Sequence, residues 1–139
     1  MLYSNEIMQH FENPHNVGGF PENLSDVGTA MVEAPISGDV LKLQIKVSRQ
    51  GLIEEAKFKA QGGVPIIALG SWLTQWLKGK CLAEAEAIHN TRIADALALP
   101  PVKVHCAVLA EQAVKAVVAD YASKQTDGAS AERKPLFLI

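Results

Sequence analysis

The hydrophobic period of this chain changes once, near Pro65, and that change decides which folds are open to it. Upstream, Leu41, Leu43, Ile45 and Val47 alternate with Lys42, Gln44 and Lys46, the two-residue period of a strand with one wet face. After the turn-forming Ser48-Arg49-Gln50-Gly51, Ala56, Phe58 and Ala60 alternate with Lys57 and Lys59 in the same way. Val27 to Val32 is a third β-prone stretch, interrupted by Gly28. A small antiparallel meander is the economical reading. Downstream, Ile66, Leu69, Leu73, Trp76 and Leu77 fall on one helical face. That helix opens at Pro65, whose missing N–H costs nothing in a first turn, and Gly79 stops it. Short helices are predicted around Leu82 to Ile88 and Thr91 to Leu97. Pro100-Pro101 breaks the run, and a long helix follows from about Lys103 to Tyr121. Strands first and helices after mean an α+β fold: an antiparallel sheet with helices packed on one face. A short amphipathic helix, Tyr3 to Phe11 with Ser4 or Asn5 as its N-cap, precedes the sheet and is stopped by Asn13-Pro14.

A chain of 139 residues fits one domain, read as 1–125 with a mobile C-terminal tail at 126–139 whose apolar end is free to fold back or meet a partner. A net charge of -2 gives no basic footprint for nucleic acid, and no apolar run approaches the ~20 residues a membrane span needs. The first residues lack the basic and apolar regions of an export signal, and two cysteines suit a reducing compartment, so a cytoplasmic setting is expected. In that setting Asn23-Leu24-Ser25 is a chance match to a glycosylation acceptor.

The residues that carry chemistry are few. His105-Cys106, at the start of the long helix, offers imidazole and thiolate to zinc, iron or copper, and a helix start acidifies a thiol. Its plain alternative is a half-buried pair with cysteine as a small hydrophobe. Asp39, in Ser37-Gly38-Asp39 before a strand, is an oxygen ligand or simply a turn residue. Gly62-Gly63 before Pro65 makes a tight strand-to-helix turn; no lysine follows at phosphate-loop spacing. Leu99, Pro100, Pro101, Val102 and Lys103 form a rigid, extended segment suited to recognition, or to plain linkage between helices. His10, His15 and His89 read as cap, turn or surface residues, Trp72 and Trp76 as core or interface, and Cys81 as a structural helix N-cap. With only Cys81 besides Cys106, one chain cannot build a four-thiolate cage, and no other nucleophile–base pair or cofactor fingerprint suggests an enzyme.

Taken together, these segments resemble the iron–sulfur cluster scaffold proteins of the IscU and NifU N-terminal type. The resemblance is carried by His10-Phe11-Glu12-Asn13-Pro14, Asn16-Val17-Gly18, Ala34-Pro35, Gly38-Asp39-Val40, Phe58-Lys59 with Gly62, and Trp76-Leu77-Lys78-Gly79-Lys80. It continues through Asn90-Thr91-Arg92-Ile93-Ala94, Leu99 to Cys106 and Leu109-Ala110-Glu111, and so covers about Tyr3 to Gln125. It implies a three-stranded antiparallel sheet with helices against it. It also implies a site in which three cysteines and an aspartate, with a histidine adjacent, surround a nascent [2Fe–2S] cluster. Sulfur would arrive as a persulfide from a cysteine desulfurase, and an Hsp70-type chaperone would read Leu99 to Lys103. Asp39, His105 and Cys106 match the pattern, whereas the other two cysteine positions fall on Ser37 and Gly63. Val64, Ile66, Ile67 and Leu69 line that loop with carbon where cluster iron and sulfur need polar partners.

The expected function is therefore a scaffold-like protein that docks on the chaperone or the desulfurase as adaptor, competitor or regulator. Two alternatives stay open. One is residual iron or zinc binding through Asp39, His105 and Cys106, or a cluster shared between two chains of a homodimer. The other is a persulfide carried on Cys106. A cofactor (iron, zinc or [2Fe–2S]) and none are equally compatible with this ligand set.

Overall fold

In a computed structural model the backbone of residues 3–138 and the side chains of residues 3–125 are described; the tail expected at 126–139 lies outside the described side chains. The elements run α1 (Asn5–Glu12), β1 (Val27–Glu33), β2 (Val40–Val47), β3 (Ile53–Gln61), α2 (Val64–Leu77), α3 (Leu82–Glu86), α4 (Asn90–Leu97), a 3-10 turn (Pro101–Lys103) and α5 (Val104–Leu138). The sheet is antiparallel in the order β1-β2-β3. This is the α+β architecture expected, down to the Ser4 cap, whose Oγ accepts the Ile7 N–H at 3.1 Å.

Register explains the two faces. Ala30 lies beside Leu43 and Leu43 beside Phe58, and Val32, Leu41 and Ala60 form the next row. These rows face the helices, where Leu41, Leu43, Ile66, Leu69, Leu73, Val114 and Val117 are excluded from solvent. Helix α2 reaches the sheet because Gly70 has no side chain: a Cβ there would lie 2.8 Å from Phe58 Cγ. Gly70→Ala should gain about 1 kcal/mol of helix propensity. It must also displace a buried ring, an overpacking cost of roughly 1–3 kcal/mol or more. The expected net result is a loss of about 1–2 kcal/mol in urea unfolding. Equal or higher stability would show that α2 and β3 are not in this contact.

The opposite face is not uniformly wet, which corrects the alternation read for β2. Gln44 is buried because residues 19–21 cross over it. Its Oε1 accepts the Phe20 N–H at 2.8 Å, and its Nε2 donates to the Phe20 carbonyl and to Thr29 Oγ1, both at 2.9 Å. The long helix also runs past the expected end at Tyr121. Lys124 Nζ donates to the carbonyls of Glu22 (2.6 Å) and Val27 (2.7 Å), so α5 fastens the chain entering β1.

Candidate functional site

Three structural junctions meet at one end of the sheet: the β1–β2 turn, the β3–α2 turn and the start of α5. The first carries Asp39, whose backbone N–H donates to Ser37 Oγ at 3.3 Å. The second passes Gly62, at φ +152°, a conformation favouring glycine. A Cβ on Gly62 would fall on Asp39 Oδ1 and 2.9 Å from Ile66 Cγ2, so the bare backbone here gives the carboxylate its place. The third brings His105 and Cys106, with Cys106 Sγ 3.7 Å from His105 Nε2. One ligand atom each of Asp39, His105 and Cys106 lies within 4.8 Å of the others. These are the three residues that the sequence pointed to; Gly62, expected there as part of a tight strand-to-helix turn, also makes the room that the Asp39 carboxylate occupies.

An oxygen, a nitrogen and a sulfur donor in such a cluster suit one zinc or iron ion with a position left open. They do not suit a [2Fe–2S] cluster held by one chain, which needs four protein ligands. Ser37 and Gly63 both flank the cluster, one two residues before Asp39 and the other next to Gly62. Gly63 caps α2 at φ -82° and ψ -173°, an ordinary extended conformation. A Cβ there would meet only Pro65 Cδ, at 3.7 Å.

The acidified thiol expected at a helix start is corrected by its surroundings. Cys106 is 1 % exposed, and burial first, then the Asp39 carboxylate, push its thiol from 9.0 up to about 11, with Lys103 offsetting only part. About one molecule in a thousand is then thiolate at pH 8, against about one in ten for a thiol at 9.0. Iodoacetamide at pH 8 should therefore modify Cys106 at least about a hundred-fold more slowly than a free thiol of ordinary acidity. Asp39→Asn should quicken it. The sign for folding follows: between 9.0 and about 11 the folded chain keeps a proton that the unfolded chain releases, so stability falls as pH rises through that window. Alkylation at the ordinary rate in the folded protein would contradict this environment.

The other singled-out residues sort differently. Leu99 packs on the core and Pro100 is extended, but Pro101–Lys103 is a 3-10 turn, not the continuous extended segment expected. Its Val102 is 78 % exposed. His10, in the last turn of α1, is half-buried: its Nδ1 lies 2.7 Å from Ser71 Oγ, which also accepts the His15 N–H at 2.9 Å. Burial and nearby His15 lower the His10 pKa. His89 and Cys81 are N-caps of α4 and α3, and Glu84 accepts the Cys81 N–H at 3.1 Å. Trp72 and Trp76 stack at 6.3 Å, half-buried against the core.

Residues 2–128 match the family described as NifU-like N terminal domain. The chain belongs to that family. It is 56% identical over 125 residues to the iron-sulfur cluster assembly scaffold protein IscU of Escherichia coli (strain K12), covering 90% of this chain and 98% of that protein. It is 57% identical to the protein of the same name from Azotobacter vinelandii, over the same shares. Among solved structures, a NifU-like protein (N-terminal) from Brucella abortus superposes with a TM-score of 0.68 at 15% identity, covering 88% of this chain and 96% of that one. A putative scaffold protein for the SUF system from Fervidobacterium islandicum gives 0.66 at 20% identity, covering 85% and 97%. Both show the shared fold. Within this family frame, Asp39, His105 and Cys106 come together while Ser37 and Gly63 contribute no thiolate.

Proposed function

We propose that this chain serves iron–sulfur cluster assembly as a scaffold-type protein that docks on the assembly machinery, as adaptor or regulator, and does not build a [2Fe–2S] cluster alone. The observation that carries the reading is the site itself: three converging donors in a fold shared with named scaffold proteins, with hydroxyl and hydrogen at the two flanking positions. A serine hydroxyl holds its proton far more tightly than a thiol, so Ser37 is a poor iron ligand at neutral pH. The partners are an Hsp70-type chaperone, met through Leu99 to Lys103, and a cysteine desulfurase. Exposed Val102 beside Lys103 supports the first of these. The chain is a carrier or adaptor in this reading, not an enzyme, and its setting is cytoplasmic. Among the described residues no helix is long and apolar enough to cross a membrane.

A second reading is favoured by the donor geometry: one iron or zinc ion held by Asp39, His105 and Cys106. Its sulfur alternative, a persulfide on Cys106, is disfavoured by a thiol that stays protonated. One set of measurements separates these. Calorimetric titration with the chaperone should show binding that Lys103→Ala weakens by about ten-fold or more, an effect of about 1.4 kcal/mol. Metal analysis after anaerobic purification should show at most one zinc or iron per chain. Absence of chaperone binding removes the chaperone arm of the proposal, and absence of metal removes the second reading.

A further inference from the structure

The edge of the sheet at β1 is closed at one end and open at the other. Thr29 N–H donates to Asp120 Oδ2 at 2.8 Å, so it points away from β2. Val27 agrees, its N–H going to Leu24 O and its carbonyl to Lys124 Nζ. The two-residue period of an antiparallel ladder turns the N–H and C=O of Met31 and Glu33 outward in the same way. Among the described residues no hydrogen bond from a side chain or loop engages the backbone of Met31 or Glu33 on that half of the edge. Met31 is 66 % exposed.

Helix α5 runs alongside. Asp120 stops one end, and exposed Ala116, Gln112, Val108 and His105 continue the same stripe. At the far end His105, Val108 and Gln112 face the Glu33–Ser37 turn across a largely apolar groove of about 520 Å³, with Ile36 fully exposed on its rim. Asp120 to His105 spans roughly 22 Å of helix, the length of a strand of about six residues. An open strand edge with a side-chain groove beside it is the pair of features that recognition by strand addition requires. The groove lining holds a carboxylate, Glu33, and no lysine or arginine.

We propose that this trough receives an extended segment of a partner protein, which adds a strand to β1 at Met31–Glu33, sets apolar side chains in the groove and places a basic side chain against Glu33. A second copy of this chain fits less well. Antiparallel pairing of β1 with itself about Met31 sets Pro35, which has no N–H, opposite Val27, whose edge Lys124 already covers. The trough uses none of residues 99–103 and does not depend on the metal reading. Because Ser37 and His105 belong to both the groove lining and the metal-site neighbourhood, a docked strand lies directly beside the Asp39 cluster.

The probe is a capped hexapeptide of alternating valine and lysine, titrated into the isotope-labelled full chain and followed by amide NMR. The expected result is saturable shifts at Ile36 and Val108 with slowed exchange at the Met31 and Glu33 amides. Methylating alternate peptide nitrogens, or Glu33→Lys, should weaken binding by about ten-fold. Ile36→Asp, at a fully exposed position that folding does not need, should do the same. Three results would overturn the proposal: no shifts at millimolar peptide, equal binding of the methylated peptide, or shifts confined to other surfaces. Met31 and Glu33 protection that grows with protein concentration alone would also overturn it, in favour of self-pairing.

Discussion

Ser37→Cys combined with Gly63→Cys should turn this chain into one that holds about one [2Fe–2S] cluster after anaerobic reconstitution with iron and sulfide. The wild-type monomer should hold almost none. Two structural facts make the substitutions admissible. Gly63 sits at φ -82° and ψ -173°, where any residue is at ease, and its Cβ would meet only Pro65 Cδ at an ordinary 3.7 Å. Ser37 lies in an exposed turn, where exchange of oxygen for sulfur meets little resistance. Together with Cys106 they give three thiolates around Asp39, enough soft ligands to satisfy two irons with one oxygen. Cluster occupancy also supplies the charge that Cys106 lacks, because a metal-bound thiol gives up its proton outright. Visible absorption, iron and sulfide content, and circular dichroism for the fold provide the readout. Adding Cys106→Ser to the double variant should abolish the gain. A correctly folded double variant that retains no more cluster than wild type would mean that something besides the two missing thiolates disables the pocket.

How much of this was legible beforehand depends on how local the cause is. The three strands, the Ser4 cap, Pro65 in the first turn of α2 and the break at Pro100 all follow from neighbours in sequence, and they stand where expected. Asp39, His105 and Cys106 were recognisable as residue types, and their convergence needed only the three junctions to share one end of the sheet. What was not legible came from long-range burial. Gln44 looks wet between two lysines until residues 19–21 cross it, and His10 looks like a helix-end residue until Ser71 comes within 2.7 Å. The Cys106 thiol illustrates competition: the helix start favours the thiolate, but burial and the Asp39 carboxylate, brought in by the distant β1–β2 turn, outweigh it. Period-two patterning likewise cannot show that Asp120 and Lys124 shut one half of the β1 edge and leave the other open.

Gly62→Ala should destroy the cluster of donors without touching a donor. The backbone at φ +152° strains any residue with a Cβ, at a cost of roughly 1–3 kcal/mol. The added carbon would also fall on Asp39 Oδ1 and 2.9 Å from Ile66 Cγ2. Ile66 is fully buried on the first turn of α2, so the softer of the two neighbours is Asp39, which must swing out. With the carboxylate gone, one of the causes that raise the Cys106 thiol disappears while burial remains. The pH midpoint for alkylation should then move down, toward the value that Asp39→Asn shows, and no further. Zinc affinity should fall by at least ten-fold, since three donors become two. The comparison separates the two effects of the substitution: Asp39→Asn reproduces the midpoint shift with little loss in urea stability, whereas Gly62→Ala loses about 2–4 kcal/mol in addition. An alkylation midpoint in Gly62→Ala identical to wild type would show that Asp39 keeps its place when the glycine is filled. The bare backbone at residue 62 would then have no part in building the site.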